Sequence, residues 1–186
     1  YFTYPLQQTA SRALRESHES PAAMIVALEQ QLERSLQRGS FVTLCYAILD
    51  PASGEVRFAS AGHLPLLVLR RRDGSVEWIR SRAVPLGALR GGALARSLRD
   101  AELQLEPGDM LVQLTDGFSE AMRPGDGEQF GFDRIEALVR EHAGAGPERV
   151  LEVLYARVRD WAGLDTPEDD QTLLVVRFDG AADPAA

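Results

Sequence analysis

Apolar residues recur along the chain with two different periods, and each period predicts a different element. Residues 4–17 have helix-compatible composition without a clean apolar stripe. Ser20-Pro21 then supplies an N-cap and a first-turn proline. Ile25, Leu28, Leu32 and Leu36 follow at helical spacing until Gly39. The run "FVTLCYAIL" (41–49) is apolar almost throughout, which predicts a central strand covered on both faces. After the turn cluster 50–54, Val56 and Phe58 alternate with Glu55, Arg57 and Ala59, the pattern of a half-buried strand. "PLLVL" (65–69) and "SVEWI" (75–79) flank Asp73-Gly74, a strong hairpin signal, so these strands read as a meander.

"AVPLGALRGGA" (83–93) reads as loop, the second half of "RSLRDAELQL" (96–105) alternates, Pro107-Gly108 turns the chain, and "DMLVQLT" (109–115) is the next strand. Two amphipathic helices follow. One carries Phe132, Ile135, Leu138 and Val139; the other, after Pro147, carries Val150, Leu151, Leu154, Val158 and Trp161. Gly144 and Gly163 end them, and Trp78 and Trp161 fall on apolar faces and read as core. After the acidic loop "LDTPEDD" (164–170), "QTLLVVRF" (171–178) is a last strand. Strands first and helices later, with hairpins between strands, predict an α+β fold with a mostly antiparallel sheet and no internal repeat.

Composition narrows the class. With 186 residues, 45% hydrophobic and 26% charged, the chain suits one globular domain, assigned to 1–180, with 181–186 as a flexible tail. A net charge of −8 argues against nucleic acid and anionic membrane surfaces as partners. The basic run Arg70-Arg71-Arg72 does not change this, because it adjoins the Asp73-Gly74 turn. No apolar segment approaches the roughly 20 residues that span a bilayer, so no membrane insertion is expected. The single cysteine, Cys45, lies in an apolar run and reads as a small buried core residue, which favours a cytoplasmic location. The chain starts at Tyr1 without a signal sequence, and is expected to be a piece of a longer protein.

The chemistry concentrates in two acidic stretches. Asp116 follows one strand, and Asp169 and Asp170 precede another. If those strands are antiparallel neighbours, the carboxylates converge at one edge of the sheet. Acids gathered without Lys or Arg call for a bound cation or a raised pKa. Hard oxygen ligands, with no His or Cys nearby in sequence, favour Mg²⁺ or Mn²⁺ over Zn²⁺. Gly117 would let the backbone approach a ligand or adopt positive φ. The same residues also fit a solvated acidic loop and an ordinary Asp-Gly turn.

The order of motifs decides further. "FVTLCYAILDPASGEVRFASAGHLPLLVLR", "PLG", "LEPGDMLVQLTDGFSEAM", "GEQFGFDRI" and "DDQTLLVV" together resemble the SpoIIE/RsbU-type serine phosphatases, a bacterial branch of the metal-dependent, type 2C-like protein phosphatases, over residues 20 to 178. The resemblance implies an α-β-β-α sandwich of two mostly antiparallel sheets flanked by helices. It implies Asp116 and Asp169 as ligands of a centre of two Mn²⁺ or Mg²⁺ ions, with Gly117 and Asp170 supporting them, and Glu120 in a structural role. The activity implied is hydrolysis of phosphoserine or phosphothreonine in a protein, a STAS-type anti-sigma-factor antagonist in particular, under an upstream sensor or regulatory domain. A homodimer through an apolar helical stripe is compatible with it.

His63, in "SAGHLP" (60–65), stands where the wider phosphatase group places an acid linked to a further metal. It could contact phosphate or protonate the leaving oxygen, or it could organise its loop by bonding to backbone. His18 and His142 lie in helices outside any motif and read as surface residues. The family's first metal motif, a "GDVxGHG"-like loop carrying the bridging aspartate, is absent from these residues. Because the later motifs are intact and Tyr1 reads as an arbitrary start, the expectation is an active enzyme whose motif lies upstream of these residues; the alternative is a catalytically inactive, phosphatase-like interaction or regulatory domain.

Overall fold

The computed structural model describes residues 20–32, 36, 39–89, 91–163 and 168–181. The expected helix over 4–17, His18 and most of the expected tail lie outside the described residues. The chain divides into two compact units, Tyr1–His63 with Ser81–Gln104, and Leu64–Arg80 with Leu105–Ala186. Elements are numbered in chain order.

In the first unit, helix α1 (Pro21–Leu32) starts as its sequence dictates. The Ser20 hydroxyl accepts the Ala23 amide at 3.0 Å, and Pro21 sits in the first turn, where a missing N–H costs nothing. Strands β1 (Leu44–Leu49), β2 (Glu55–Ala61) and β5 (Ala101–Gln104) form an antiparallel sheet in the order β1-β2-β5. Met24, Ile25, Leu28 and Leu32 of α1 pack on Ala59 and Ala61 of β2 and on Leu94 and Leu98 from the short helix α2 (Ala93–Ser97) and its end.

Two expectations are corrected here. Within the run at 41–49 the strand is Leu44–Leu49, half-buried rather than covered on both faces, with Phe41 60% exposed; among the described residues it pairs in the sheet with β2 alone, and β2 is the central strand. Apolar composition marks faces that could be covered, and says nothing about a strand's place in the pairing order. Cys45 is accordingly half-buried, although burial still pushes its thiol pKa up to about 11. The meander also breaks after β2. Gly62 takes φ +67° and lies so close to Pro85 that a Cβ would sit 2.4 Å from its Cγ, so only glycine turns the chain there.

The second unit holds β3 (Leu66–Leu69), β4 (Val76–Ile79), β6 (Met110–Leu114) and β7 (Leu173–Arg177) in the antiparallel order β4-β3-β6-β7. The Asp73-Gly74 hairpin closes with Leu69 opposite Val76. After the single-turn helix α3 (Asp116–Ser119) come α4 (Gly131–His142) and α5 (Pro147–Ala162), joined through the 3₁₀ turn Ala143–Ala145. Ile135 and Val139 of α4 and Val150, Leu154 and Val158 of α5 cover Leu67, Leu69, Val112 and Leu114 of the sheet. Each of these buried side chains stabilises the fold by about 1.5–3 kcal/mol. Both tryptophans sit at the rim of this core rather than within it, because each indole N–H needs a partner: Trp78 donates to Glu136 at 3.2 Å and Trp161 to the Glu128 carbonyl at 3.1 Å. His142 is half-buried at the end of α4, not a surface residue.

One buried charge was not foreseen. Asp109, 1% exposed, accepts from the Arg70 guanidinium at 2.8 Å and from the amides of Arg71 (2.8 Å) and Glu106 (3.0 Å). It ties the end of β3 to the start of β6, and part of the basic run 70–72 is thereby structural.

Candidate metal centre

Strands β6 and β7 are antiparallel neighbours, with Leu114 opposite Leu173. The end of one and the start of the other therefore share an edge of the sheet, as the acidic motifs require. Asp116 lies two residues beyond β6, and Asp169 and Asp170 lie just before β7.

Short polar contacts latch the two motifs together. The Thr115 amide donates to the Thr172 carbonyl at 3.1 Å, its hydroxyl donates to the Asp170 carbonyl at 2.9 Å, and the same hydroxyl accepts the Thr172 amide at 2.9 Å. The Gln171 side-chain amide donates to the Gly117 carbonyl at 2.9 Å. Gly117 is buried, and a Cβ added there would stand 2.6 Å from the Asp170 carbonyl oxygen. Its lack of a side chain serves this approach between two stretches of backbone. It is helical, with no positive φ, which corrects one of the two reasons expected for it.

The carboxylates at this edge are exposed. Asp169 Oδ1 accepts the Asp170 amide at 2.8 Å, which orients that carboxylate from within its own loop. Asp170 reaches the β6 side through its main-chain carbonyl, not its carboxylate. Asp116, Asp169 and Asp170 form no ion pair with Arg or Lys among the described residues. Gly117, Glu120, Glu168, Asp169 and Gln171 line a cleft of about 180 Å³ together with Ala121, Met122 and Ala162. Glu120, given a structural role from sequence, is exposed at this cleft.

Exposed, uncompensated carboxylates on a braced backbone fit a hard divalent cation. The fit is partial: among the described residues, no three His, Cys, Asp or Glu side chains form a group that could hold an ion. His63 belongs to the first unit, is half-buried, and hydrogen-bonds through Nδ1 to the Thr43 hydroxyl at 3.2 Å. Thr115 and Gln171 were missed from sequence, although their signal was there: a hydroxyl directly before the first acid and an amide directly after the second acidic pair.

The fold matches the SiaA-PP2C domain of Pseudomonas aeruginosa with a TM-score of 0.76 at 23% identity, covering 94% of this chain and 68% of that one. It matches the phosphatase domain of the cell fate determinant SpoIIE from Bacillus subtilis, presoaked with Mn, with a TM-score of 0.61 at 20% identity, covering 95% and 74%. Two antiparallel sheets with their helices thus define a PP2C-type phosphatase fold. The family described as Stage II sporulation protein E (SpoIIE) matches residues 4–179, and the chain belongs to that family. Phosphoserine phosphatase RsbU of Bacillus subtilis (strain 168) is 24% identical over 168 residues, 90% of this chain and 48% of RsbU. The chain spans about half the length of that relative.

Proposed function

We propose that this chain carries the catalytic domain of a metal-dependent phosphoserine/phosphothreonine protein phosphatase whose substrate is a STAS-type anti-sigma-factor antagonist. The observation that carries the reading is the β6–β7 edge, where Asp116 and Asp169 stand exposed and uncompensated on a hydrogen-bonded latch. Membership of the SpoIIE family and similarity to a relative named as a phosphoserine phosphatase support the choice of reaction.

In this reading Asp116 and Asp169 hold Mn²⁺ or Mg²⁺, and they supply part of the ligand set. Two such ions, when bound, supply hydroxide at neutral pH and neutralise phosphoryl oxygens. The chain's own contribution is rigidity. Thr115 and Gln171 fix the spacing of the two motifs, Gly117 lets them close, and the Asp170 amide orients the Asp169 carboxylate, so little reorganisation is needed when charge develops on the phosphoryl group. His63 is tied to the Thr43 hydroxyl through Nδ1, which supports a loop-anchoring part.

The test is phosphate release from a phosphoserine antagonist by the complete protein with Mn²⁺, alongside Asp116→Asn and Asp169→Asn. Each substitution is expected to lower kcat/KM by more than about a hundredfold, beyond the loss seen for residues that only support ligands. Unchanged rates would sink the assignment. A complete protein that binds the antagonist and hydrolyses nothing would establish the rival reading, a catalytically inactive interaction domain.

A further inference from the structure

The segment 121–130, between α3 and α4, folds back on itself. The Phe130 amide donates to the Ala121 carbonyl at 2.9 Å, the Arg123 amide donates to the Glu128 carbonyl at 2.9 Å, and Met122 bridges Gln129. A hairpin this short is not stable by itself, so something must hold it. The holder is Trp161 on α5. The guanidinium carbons of Arg123 and Arg134 lie 4.3 and 4.1 Å from its ring centroid, Phe130 meets it edge-on at 5.8 Å, and its indole N–H donates to the Glu128 carbonyl. Glu128 bridges both arginines, and Asp126 pairs with Arg123 through contacts of 3.1 and 3.2 Å to Nε. These ion pairs are exposed and individually weak, which leaves the aromatic stack as the anchor.

What the clamp presents is informative. Ala121 and Met122, with Ala162 from the end of α5, form the apolar side of the cleft that contains Asp169. Met122 is 52% exposed, a thioether standing in solvent beside a cluster of carboxylates, where it cannot serve as a ligand for a hard cation. An apolar side chain held in the open by a braced hairpin is suited to meet another apolar side chain.

We propose that Trp161 is a positioning residue for substrate recognition: through the 121–130 hairpin it holds Met122 against an apolar residue flanking the phosphorylated side chain of a protein substrate. The proposal rests on the phosphatase reading of the site. It assigns the cleft a preference for an apolar neighbour over an acidic one, since Glu120 and Glu168 repel the latter.

The test uses the complete protein with Mn²⁺ and three substrates: p-nitrophenyl phosphate, a phosphoserine peptide with Leu beside the phosphoserine, and the same peptide with Asp there. Wild type is expected to favour the Leu peptide by about tenfold in kcat/KM, in line with burial of one apolar side chain. Trp161→Leu is expected to raise KM for the Leu peptide by about that factor while kcat, and the rate on p-nitrophenyl phosphate, change less than about twofold. Trp161→Phe, which keeps a ring face for the arginines, should restore most of the preference, and Met122→Ser should abolish it. Amide exchange is the readout independent of turnover: protection of the Arg123 and Phe130 amides should fall in Trp161→Leu while that of β6 is kept. Equal losses on all three substrates, an unchanged preference, or unchanged exchange would each overturn the proposal. A wild type that hydrolyses none of the substrates would instead overturn the phosphatase reading, and the exchange comparison would still decide whether Trp161 holds the hairpin.

Discussion

Replacing Gly117 with alanine separates two opposed effects whose sizes the structure allows to be compared. Gly117 is helical in α3, with no positive φ, so on backbone grounds alone alanine should stabilise the protein by about 0.4–1 kcal/mol. The new methyl, however, would lie 2.6 Å from the Asp170 carbonyl oxygen, 3.1 Å from its carbon and 3.2 Å from Gln171 Cγ. Carbon–oxygen contacts settle near 3.3–3.6 Å, so the segment before β7 must retreat by about 0.7 Å or more. Overpacking of this kind costs about 1–3 kcal/mol, and the net expectation is a loss of about 1–2 kcal/mol, a fall in Tm of about 3–6 °C. Because the retreating segment carries Asp169, Mn²⁺ affinity should fall as well, by about tenfold or more. Calorimetric melting and Mn²⁺ titration of the Gly117→Ala protein read the two quantities separately. A Tm at or above wild type would refute the steric argument, and a lowered Tm with unchanged Mn²⁺ affinity would refute the coupling of that contact to the site.

Other perturbations address the surroundings. Thr115→Val removes a hydroxyl that serves one acceptor and one donor, so it should cost about 1–3 kcal/mol in urea unfolding, whereas Thr115→Ser should recover most of it. Asp109→Ala removes one acceptor from the Arg70 guanidinium and the acceptor of two amides, and should cost about 1–3 kcal/mol. Burial opposes ionisation of Asp109, but the Arg71 amide, the Arg70 guanidinium and the Glu106 amide outweigh it, and its pKa lies below the usual 3.8. Its contribution is therefore complete above the unfolded value and lost as pH falls through the folded one, so the gap between wild type and Asp109→Ala should narrow only below about pH 4. Cys45, with its thiol near 11, should resist iodoacetamide at pH 8 and react at the rate of a free thiol only after unfolding.

How much of this was legible in the sequence varies with the kind of signal. The hairpin at Asp73-Gly74, the stripes of α4 and α5, and the capped start of α1 are local patterns, and each is found where the pattern places it. That the end of β6 before Asp116 and the start of β7 after Asp169 share one sheet edge followed from one topological assumption, that two strands are antiparallel neighbours, and the register of β6 on β7 meets it. Sheet order was not legible, because the run at 41–49 looks the same whether it is central or at an edge. The pairing of Asp109 with Arg70, 39 residues apart in sequence, leaves no local trace, and neither does the Arg123–Trp161–Arg134 stack. Gly117 shows a subtler limit: its importance was visible, but which atoms crowd it depends on a segment more than 50 residues away.

The interleaving of the two units along the chain has a consequence for synthesis. Each is assembled from two separate stretches, so neither exists as a contiguous piece that could be excised or expressed alone. Strand β3, buried along its whole length, emerges from the ribosome about 40 residues before β6, the partner that completes its pairing. In that interval Leu66–Leu69 offers an open edge with only β4 beside it, the kind of surface that recruits another copy of itself. A slower passage of the ribosome across residues 80–110 would lengthen the time that this edge stays open.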